Sequence, residues 1–361
     1  MQDLYQWSIT TQRVTGVQRY AREVIRAFDQ DTSFNPCVLV PPGESPVPFS
    51  LDRINISRVG RRRGQIWEQW DLLRQSRDGL LFSPGNIGPL WHPRQVVTIH
   101  DASTLDHPEW FSRPFALWYR TILPRLMRRA VLVLTDSDYS RQRLLAHVPV
   151  DPNKVVSIPL GVGKEFRPMD RASQEAFRRK HDLPQSYLLT VGSLDPRKNL
   201  LGLVAAWERV SADLPQTHLL VAGGGGDAFT RLELDMNRWQ RLRIRLLGYV
   251  PQENLPGLYA SAAGFLYPSY YEGFGFPVLE AMASGTPVLT SNVTSLPEVA
   301  GDAALMIDPH VPRTLEEGIV RLATDSALCE GLVVRGMDQA RRFDWDITAR
   351  KTRDLLHQVA G

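Results

Sequence analysis

The sequence is short of cysteine: two occur in 361 residues, Cys37 and Cys329, far apart along the chain. That excludes a disulfide framework and a cysteine-built zinc site, and it fits a reducing compartment. Long apolar runs are missing as well. No stretch approaches the roughly 18 residues that a membrane span takes. The opening, MQDLYQWSITTQR, lacks the apolar centre of a secretory signal, so a cytoplasmic location is expected. Internal repeats and low-complexity segments are absent. Charge of one sign is not in large excess: the net charge is +3, and no nucleic-acid partner is expected. The balance is uneven, however. Residues 1–170 carry 22 Lys and Arg against 17 Asp and Glu, whereas residues 171–361 carry 20 against 22. The basic excess includes Arg61, Arg62 and Arg63, and a second group at Arg113, Arg120, Arg125, Arg128 and Arg129. A solvated basic face and attraction to an anionic membrane surface or phosphate-bearing acceptor both fit that pattern.

What is present is a regular alternation. Hydrophobic residues make up 43% of the chain and charged residues 22%, as in ordinary globular proteins. The length suggests about two domains. Apolar, β-rich runs fall at Pro36–Val40, Leu80–Ser83, Gln95–His100, Val131–Asp136 and Val155–Pro159. A second set falls at Tyr187–Val191, His218–Ala222, Arg243–Leu247, Gly264–Tyr267 and Pro287–Ser291. Helical patterns lie between them, which predicts α/β architecture with two Rossmann-like parallel sheets. The boundary falls in the Pro-, Gly- and charge-rich Pro159–Arg171. The expected division is residues 1–165 and 166–340, with 341–361 a terminal helix packing back on the first domain. The first strand is weak, as a start codon placed too far downstream would make it.

In open α/β sheets ligands sit beyond the carboxyl ends of the strands. Two loops of the second half stand out there. GSLDPRKNL follows YLLTV and offers a tight turn at Gly192 and Ser193, then the cations Arg197 and Lys198. YYEGFGFPVLE follows GFLYPS and holds Glu272, then Gly273, Phe274, Gly275 and Phe276, then Pro277 and Glu280. Proline suits a helix start, which places Glu280 in the first turn and leaves main-chain amides before it unpaired. Such amides, with the positive helix end and two cations, make a diphosphate site. Glu280 would then hold a ribose diol, and Glu272 the hydroxyls of a sugar at the other end. The competing reading is that Glu280 merely favours a helix start and Glu272 is solvated.

Two patterns compete with this site. Asp136-Ser137-Asp138 has the form of an Asp-x-Asp metal motif, but it follows a strand and opens a helix, so it reads as a cap. Residues 223–228, GGGGDA, have dinucleotide-fingerprint spacing, yet the next strand ends without a ribose-binding acid.

The stretch EGFGFPVLEAMASGTPV, preceded by YPSYY, resembles the signature of family 4 glycosyltransferases. The resemblance extends through VGSLDPRKNL, LLGYVPQENLPGLYASA, VVTIHDASTLDHPEWF, TGVQRYAREV and the terminal RRFDWD, and so spans nearly the whole chain. It implies a GT-B fold, with two Rossmann-like domains facing across a cleft, and a retaining transfer from a nucleotide sugar. The similarity is greatest to the branch that builds O-antigen and other bacterial surface polysaccharides. It implies GDP-mannose as donor, with a UDP-sugar as rival, and a glycan or polyprenyl-linked acceptor. It places the enzyme in the cytoplasm or peripheral to the inner membrane face, with no metal or organic cofactor. By the same resemblance Glu280 holds ribose, Glu272 the donor sugar, Phe274–Phe276 sugar and phosphate, and Lys198 the diphosphate. Ser193 stands where many members have arginine, and Arg197 would supply that charge. Gly16 falls in an N-terminal loop closing on the donor, His100 near the sugar C6 hydroxyl, and Tyr249 and Val250 near the base. An epimerase, a phosphorylase or a non-catalytic sugar-nucleotide-binding protein would share the architecture. An epimerase needs acid–base residues around the sugar and a phosphorylase a pyridoxal lysine, and neither signature stands out.

Overall fold

The computed structural model describes residues 4–6, 16–32, 36–43, 51–224 and 235–360. These divide into two units. The first comprises Met1–Pro108, Pro114–Gly161 and Asp344–Gly361, the second Glu109–Arg113 and Val162–Phe343. Among the described residues no helix is long and apolar enough to cross a membrane.

The first unit is built on seven strands: β1 (Leu4–Gln6), β2 (Cys37–Val40), β3 (Asn55–Arg58), β4 (Leu81–Ser83), β5 (Gln95–Thr98), β6 (Leu132–Thr135) and β7 (Val155–Ser157). Their order is β3-β2-β1-β4-β5-β6-β7, and every pairing is parallel. The weak opening segment therefore does form a strand, and β1 sits in the interior of the sheet with Leu4 opposite both Cys37 and Leu81. Helix Arg113–Arg129 lays Leu123, Leu126 and Met127 onto Val97, Ile99 and Val133. Helix Trp345–Ala360 belongs to this unit. It buries Trp345, Ala349 and Leu356, and Thr348 Oγ1 donates to the Pro159 carbonyl at 2.8 Å. Arg94 caps its far end by donating to the carbonyl of Ala360 at 2.8 Å, which satisfies an acceptor that the helix leaves open.

The second unit has six strands: β8 (Ser186–Val191), β9 (Thr217–Ala222), β10 (Ile244–Gly248), β11 (Gly264–Tyr267), β12 (Val288–Ser291) and β13 (Leu305–Ile307). Their order is β10-β9-β8-β11-β12-β13, again all parallel. The order reverses direction between β8 and β11, the place where such sheets open a crevice for ligands. The core is Leu188, Leu219, Leu266 and Leu289 from the sheet against Leu203, Trp207, Leu315 and Ile319 from helices. Trp207 is fully buried, and its indole N–H donates to the Leu242 carbonyl at 2.7 Å, so the polar atom is not stranded.

Candidate active site

The second unit brings its sequence-expected residues to the carboxyl ends of β8, β10 and β11. After β8 the chain turns through Gly192 and Ser193 into a short 3-10 turn, Pro196–Lys198. Asp195 organises this turn. It is fully buried, caps the Arg197 amide at 3.0 Å, and accepts from the Ser193 hydroxyl at 2.5 Å and from Arg197 Nε at 3.2 Å. Burial opposes its charge, but Arg197, Lys198 and the Ser193 hydroxyl hold the carboxyl below the usual range. The Ser193 hydroxyl thus serves the loop rather than pointing outward. The next residue, Asn199, adopts a left-handed conformation at φ 54°, which asparagine tolerates well, and the helix Leu200–Val210 starts there.

Lys198 carries the central interaction. Its Nζ donates to Glu272 Oε1 at 2.7 Å, to Glu272 Oε2 at 2.9 Å and to the Tyr267 hydroxyl at 2.8 Å. The side chains of Lys198 and Glu272 are 16% and 9% exposed. Solvation of Glu272 is therefore ruled out, and the two residues expected to grip opposite parts of a donor are gripping each other. Tyr267 and Asp195 are the participants that sequence reading passed over. Both sit in the motifs that drew notice, GFLYPS and GSLDPRKNL, but neither has a side-chain spacing that announces its partner.

The loop after Glu272 is fixed by its neighbours. Thr294 Oγ1 accepts from the Glu272 amide at 3.2 Å, and the Ser295 hydroxyl bonds the carbonyls of Glu272 and Phe274, each at 2.9 Å. Phe274 is buried edge-on to Phe276 and Phe343. Gly275 has φ 115°, where a side chain would be strained, and it precedes the helix Phe276–Ala283. Among the described residues the amides of Phe274 and Gly275 have no hydrogen-bond partner. They are donors of the kind a diphosphate takes. Because the helix begins at Phe276, one residue before Pro277, Glu280 lies on the second turn and not the first. It is 5% exposed, so its role is not that of a surface charge favouring a helix start. Tyr249, half exposed, and Val250 follow β10. The GGGGDA pattern is described only at Gly223 and Gly224, and the rest lies outside the described residues.

Two expected residues belong to the first unit. Gly16 opens the helix Gly16–Gln30, while the loop before it lies outside the described residues. His100 follows β5 and is 7% exposed. Its Nε2 lies 3.0 Å from the Pro84 carbonyl and its Nδ1 2.7 Å from Asp136 Oδ2. A carbonyl only accepts, so Nε2 carries a proton, and the Nδ1–carboxylate contact holds another. Burial works against a charged ring, but the Asp136 charge and hydrogen bonds carry the His100 pKa up. Both ring nitrogens are therefore bonded within the first unit, to Pro84 and Asp136. The capping expected of Asp136-Ser137-Asp138 is carried by Ser137. Ser137 caps the helix Asp138–His147 by accepting from the Ser140 amide at 3.1 Å, while Asp136 turns inward to His100. Asp101 stays with its own loop, accepting from the Ser103 amide at 2.9 Å. Replacing Asp136 by alanine leaves Nδ1 buried without an acceptor. Calorimetry should show a loss of about 1–3 kcal/mol, with Asp136→Asn losing less. An alanine variant that melts with the parent chain would show that the pair does not form.

Two family models match the chain: Glycosyltransferase Family 4 over residues 14–166 and Glycosyl transferases group 1 over residues 173–337. O-antigen chain mannosyltransferase B of Escherichia coli is 34% identical over 302 residues, covering 83% of this chain and 78% of the relative. O-antigen chain mannosyltransferase RfbU of Salmonella typhimurium is 26% identical over 299 residues, covering 81% and 79%. Among solved structures, sucrose-phosphate synthase from Thermosynechococcus elongatus superposes with a TM-score of 0.76 over 99% of both chains at 20% identity, a likeness of fold alone.

Proposed function

The chain belongs to glycosyltransferase family 4, and from that premise we propose that it transfers mannose from GDP-mannose to a growing bacterial O-antigen glycan with retention of configuration. The sugar and the glycan follow the relatives' names as mannosyltransferases of O-antigen chains. The observation that carries the site is the cluster of Lys198, Glu272 and Tyr267 at the ends of β8 and β11. Beside it lies the loop whose Phe274 and Gly275 amides are unpartnered among the described residues.

In this reading the diphosphate takes those amides and Lys198, with Arg197 adding charge. Glu280 holds the ribose and Glu272 the mannose hydroxyls. The bond from the anomeric carbon to the diphosphate oxygen breaks as the acceptor oxygen bonds on the same face, and the acceptor proton passes to the leaving diphosphate. No carboxylate is assigned as a nucleophile. The rate comes from charge placed where the leaving group develops it, and from positioning. Positive charge is supplied by side chains and a helix end, so the reading assigns no metal and no organic cofactor.

The acceptor is proposed to be polyprenyl-linked and met at the inner membrane face. Helix Arg113–Arg129 supports this. It leaves Arg113, Arg120, Arg125, Arg128 and Arg129 outward and Leu117 70% exposed. The Arg129 guanidinium lies 3.7 Å from the centre of the Trp91 ring, itself 63% exposed. Arginine beside exposed tryptophan suits an anionic lipid interface.

A thermal-shift panel of GDP, UDP, ADP and dTDP tests the donor. A nucleotide at 100 times its Kd stabilises by about 2.7 kcal/mol. GDP is expected to give the largest shift; a larger one with UDP would replace the donor assignment, and no shift with any would remove the site.

A further inference from the structure

We infer that Tyr267 is a positioning residue for the donor sugar, keeping Glu272 aimed when Lys198 turns to the diphosphate. This rests on Glu272 being the acid that holds the sugar, as proposed above.

Lys198 has three N–H donors, and all three are spent, two on the Glu272 oxygens and one on the Tyr267 oxygen. The phenol accepts from the lysine and keeps its own proton to give. Burial first, and then the neighbouring Glu272 charge, push its pKa well above the usual value, so it stays protonated at neutral pH. The Lys198 ammonium thus bridges the phenol oxygen and the Glu272 carboxylate and holds both beside it. A diphosphate would draw Lys198 out of that bridge. Glu272 is 7% exposed and would then be a buried carboxylate short of a partner, an expensive state. Tyr267 is the donor that remains.

The phenol is well held for this task. Tyr267 is 2% exposed and ends β11, flanked by β8 and β12. Its ring stacks on Phe265 at 5.6 Å between centres, and its carbonyl accepts from Thr290 Oγ1 at 3.0 Å. The Glu272 backbone is pinned at its amide and carbonyl. Only the carboxylate can swing, and the Tyr267 hydroxyl limits where it swings. A phenylalanine would keep the packing and delete one oxygen.

The test is calorimetric binding of GDP and of GDP-mannose to the full chain and to Tyr267→Phe, Glu272→Gln and the double variant. Tyr267→Phe is expected to weaken GDP-mannose about tenfold, the scale of one hydrogen bond to a charged group. GDP should stay within about twofold, which also reports an intact fold. The double variant should bind GDP-mannose no more weakly than Glu272→Gln alone, because both changes remove one function. If Glu272→Gln loses the sugar and Tyr267→Phe does not, the Tyr267 role is wrong and the site stands. Equal weakening of GDP and GDP-mannose, or fully additive losses in the double variant, also overturns it. If Glu272→Gln itself leaves GDP-mannose unaffected, the assignment of Glu272 fails and takes the inference with it.

Discussion

Replacing Lys198 by alanine is expected to lower kcat by about 10²–10³, the usual scale for deleting one preorganised donor to a developing charge. Two cations stand in the loop after β8, and their settings differ. Arg197 is bound through Nε to the fully buried Asp195. Lys198 is tied instead to Glu272 and Tyr267, both members of the proposed sugar end. A lysine held by a carboxylate from a separate loop can exchange it for a phosphate oxygen with little change in charge around it. An arginine locked to the capping acid of its own turn cannot do so without loosening the turn. The larger loss therefore belongs to Lys198. The alanine variant also takes from Glu272 its two bonds to the ammonium, at a cost of up to about 3 kcal/mol, so it should melt several degrees lower yet stay folded at assay temperature. Lys198→Arg should recover only part of the rate, since a planar guanidinium does not replace a compact ammonium. Near-normal turnover of Lys198→Ala with saturating GDP-mannose would show that the diphosphate lies elsewhere.

How much of this was legible differs between levels. The alternation of apolar runs located ten of the strands to within a residue or two, because parallel strands buried on both faces read as continuous apolar segments. β3 escaped because Asn55–Arg58 is an edge strand with mostly exposed side chains, so no hydrophobic period marks it. β13 is three residues long, too short to show a period. Helix Arg171–Lys180, RASQEAFRRK, has no fully buried residue and only Ala172, Ala176 and Phe177 as apolar positions, too few to mark it among so many charges. At the site, Glu272, Glu280 and Lys198 could be chosen from charge and loop position. Their mutual arrangement could not. The Lys198–Glu272 pair joins residues 74 apart, and His100–Asp136 joins residues 36 apart. In both cases the partners meet only because parallel strands bring their carboxyl ends together. The turn assignment of Glu280 failed for a smaller reason: Gly275, not Pro277, ends the loop, and that shifts the helix start.

A second large effect is expected at Gly223, and its direction separates two meanings of a glycine run. In a dinucleotide fingerprint the glycines let a ligand approach the backbone. Here another part of the chain fills that space. Gly223 has φ 142°, and a Cβ built on it would lie 1.7 Å from the Gly192 carbonyl oxygen, which is main chain and cannot step aside. The same spot is laced by hydrogen bonds from the Gly192 amide to Ala222 (3.0 Å), from Gly223 to Gly248 (2.7 Å) and from Leu194 to Gly224 (3.1 Å). The loops after β8, β9 and β10 thus share one knot, and the Lys198 turn begins on it. Gly223→Ala should cost more than about 4 kcal/mol, the range of severe packing and strain defects. It should also abolish the nucleotide-induced thermal shift, because Gly192 must move. Gly248→Ala is the control. Its φ is 69°, but nothing lies within 4 Å of the added carbon, so only the left-handed strain of about 1–2 kcal/mol applies. Equal losses in the two variants would mean that the close approach of Gly223 to Gly192 is not what the glycine is for.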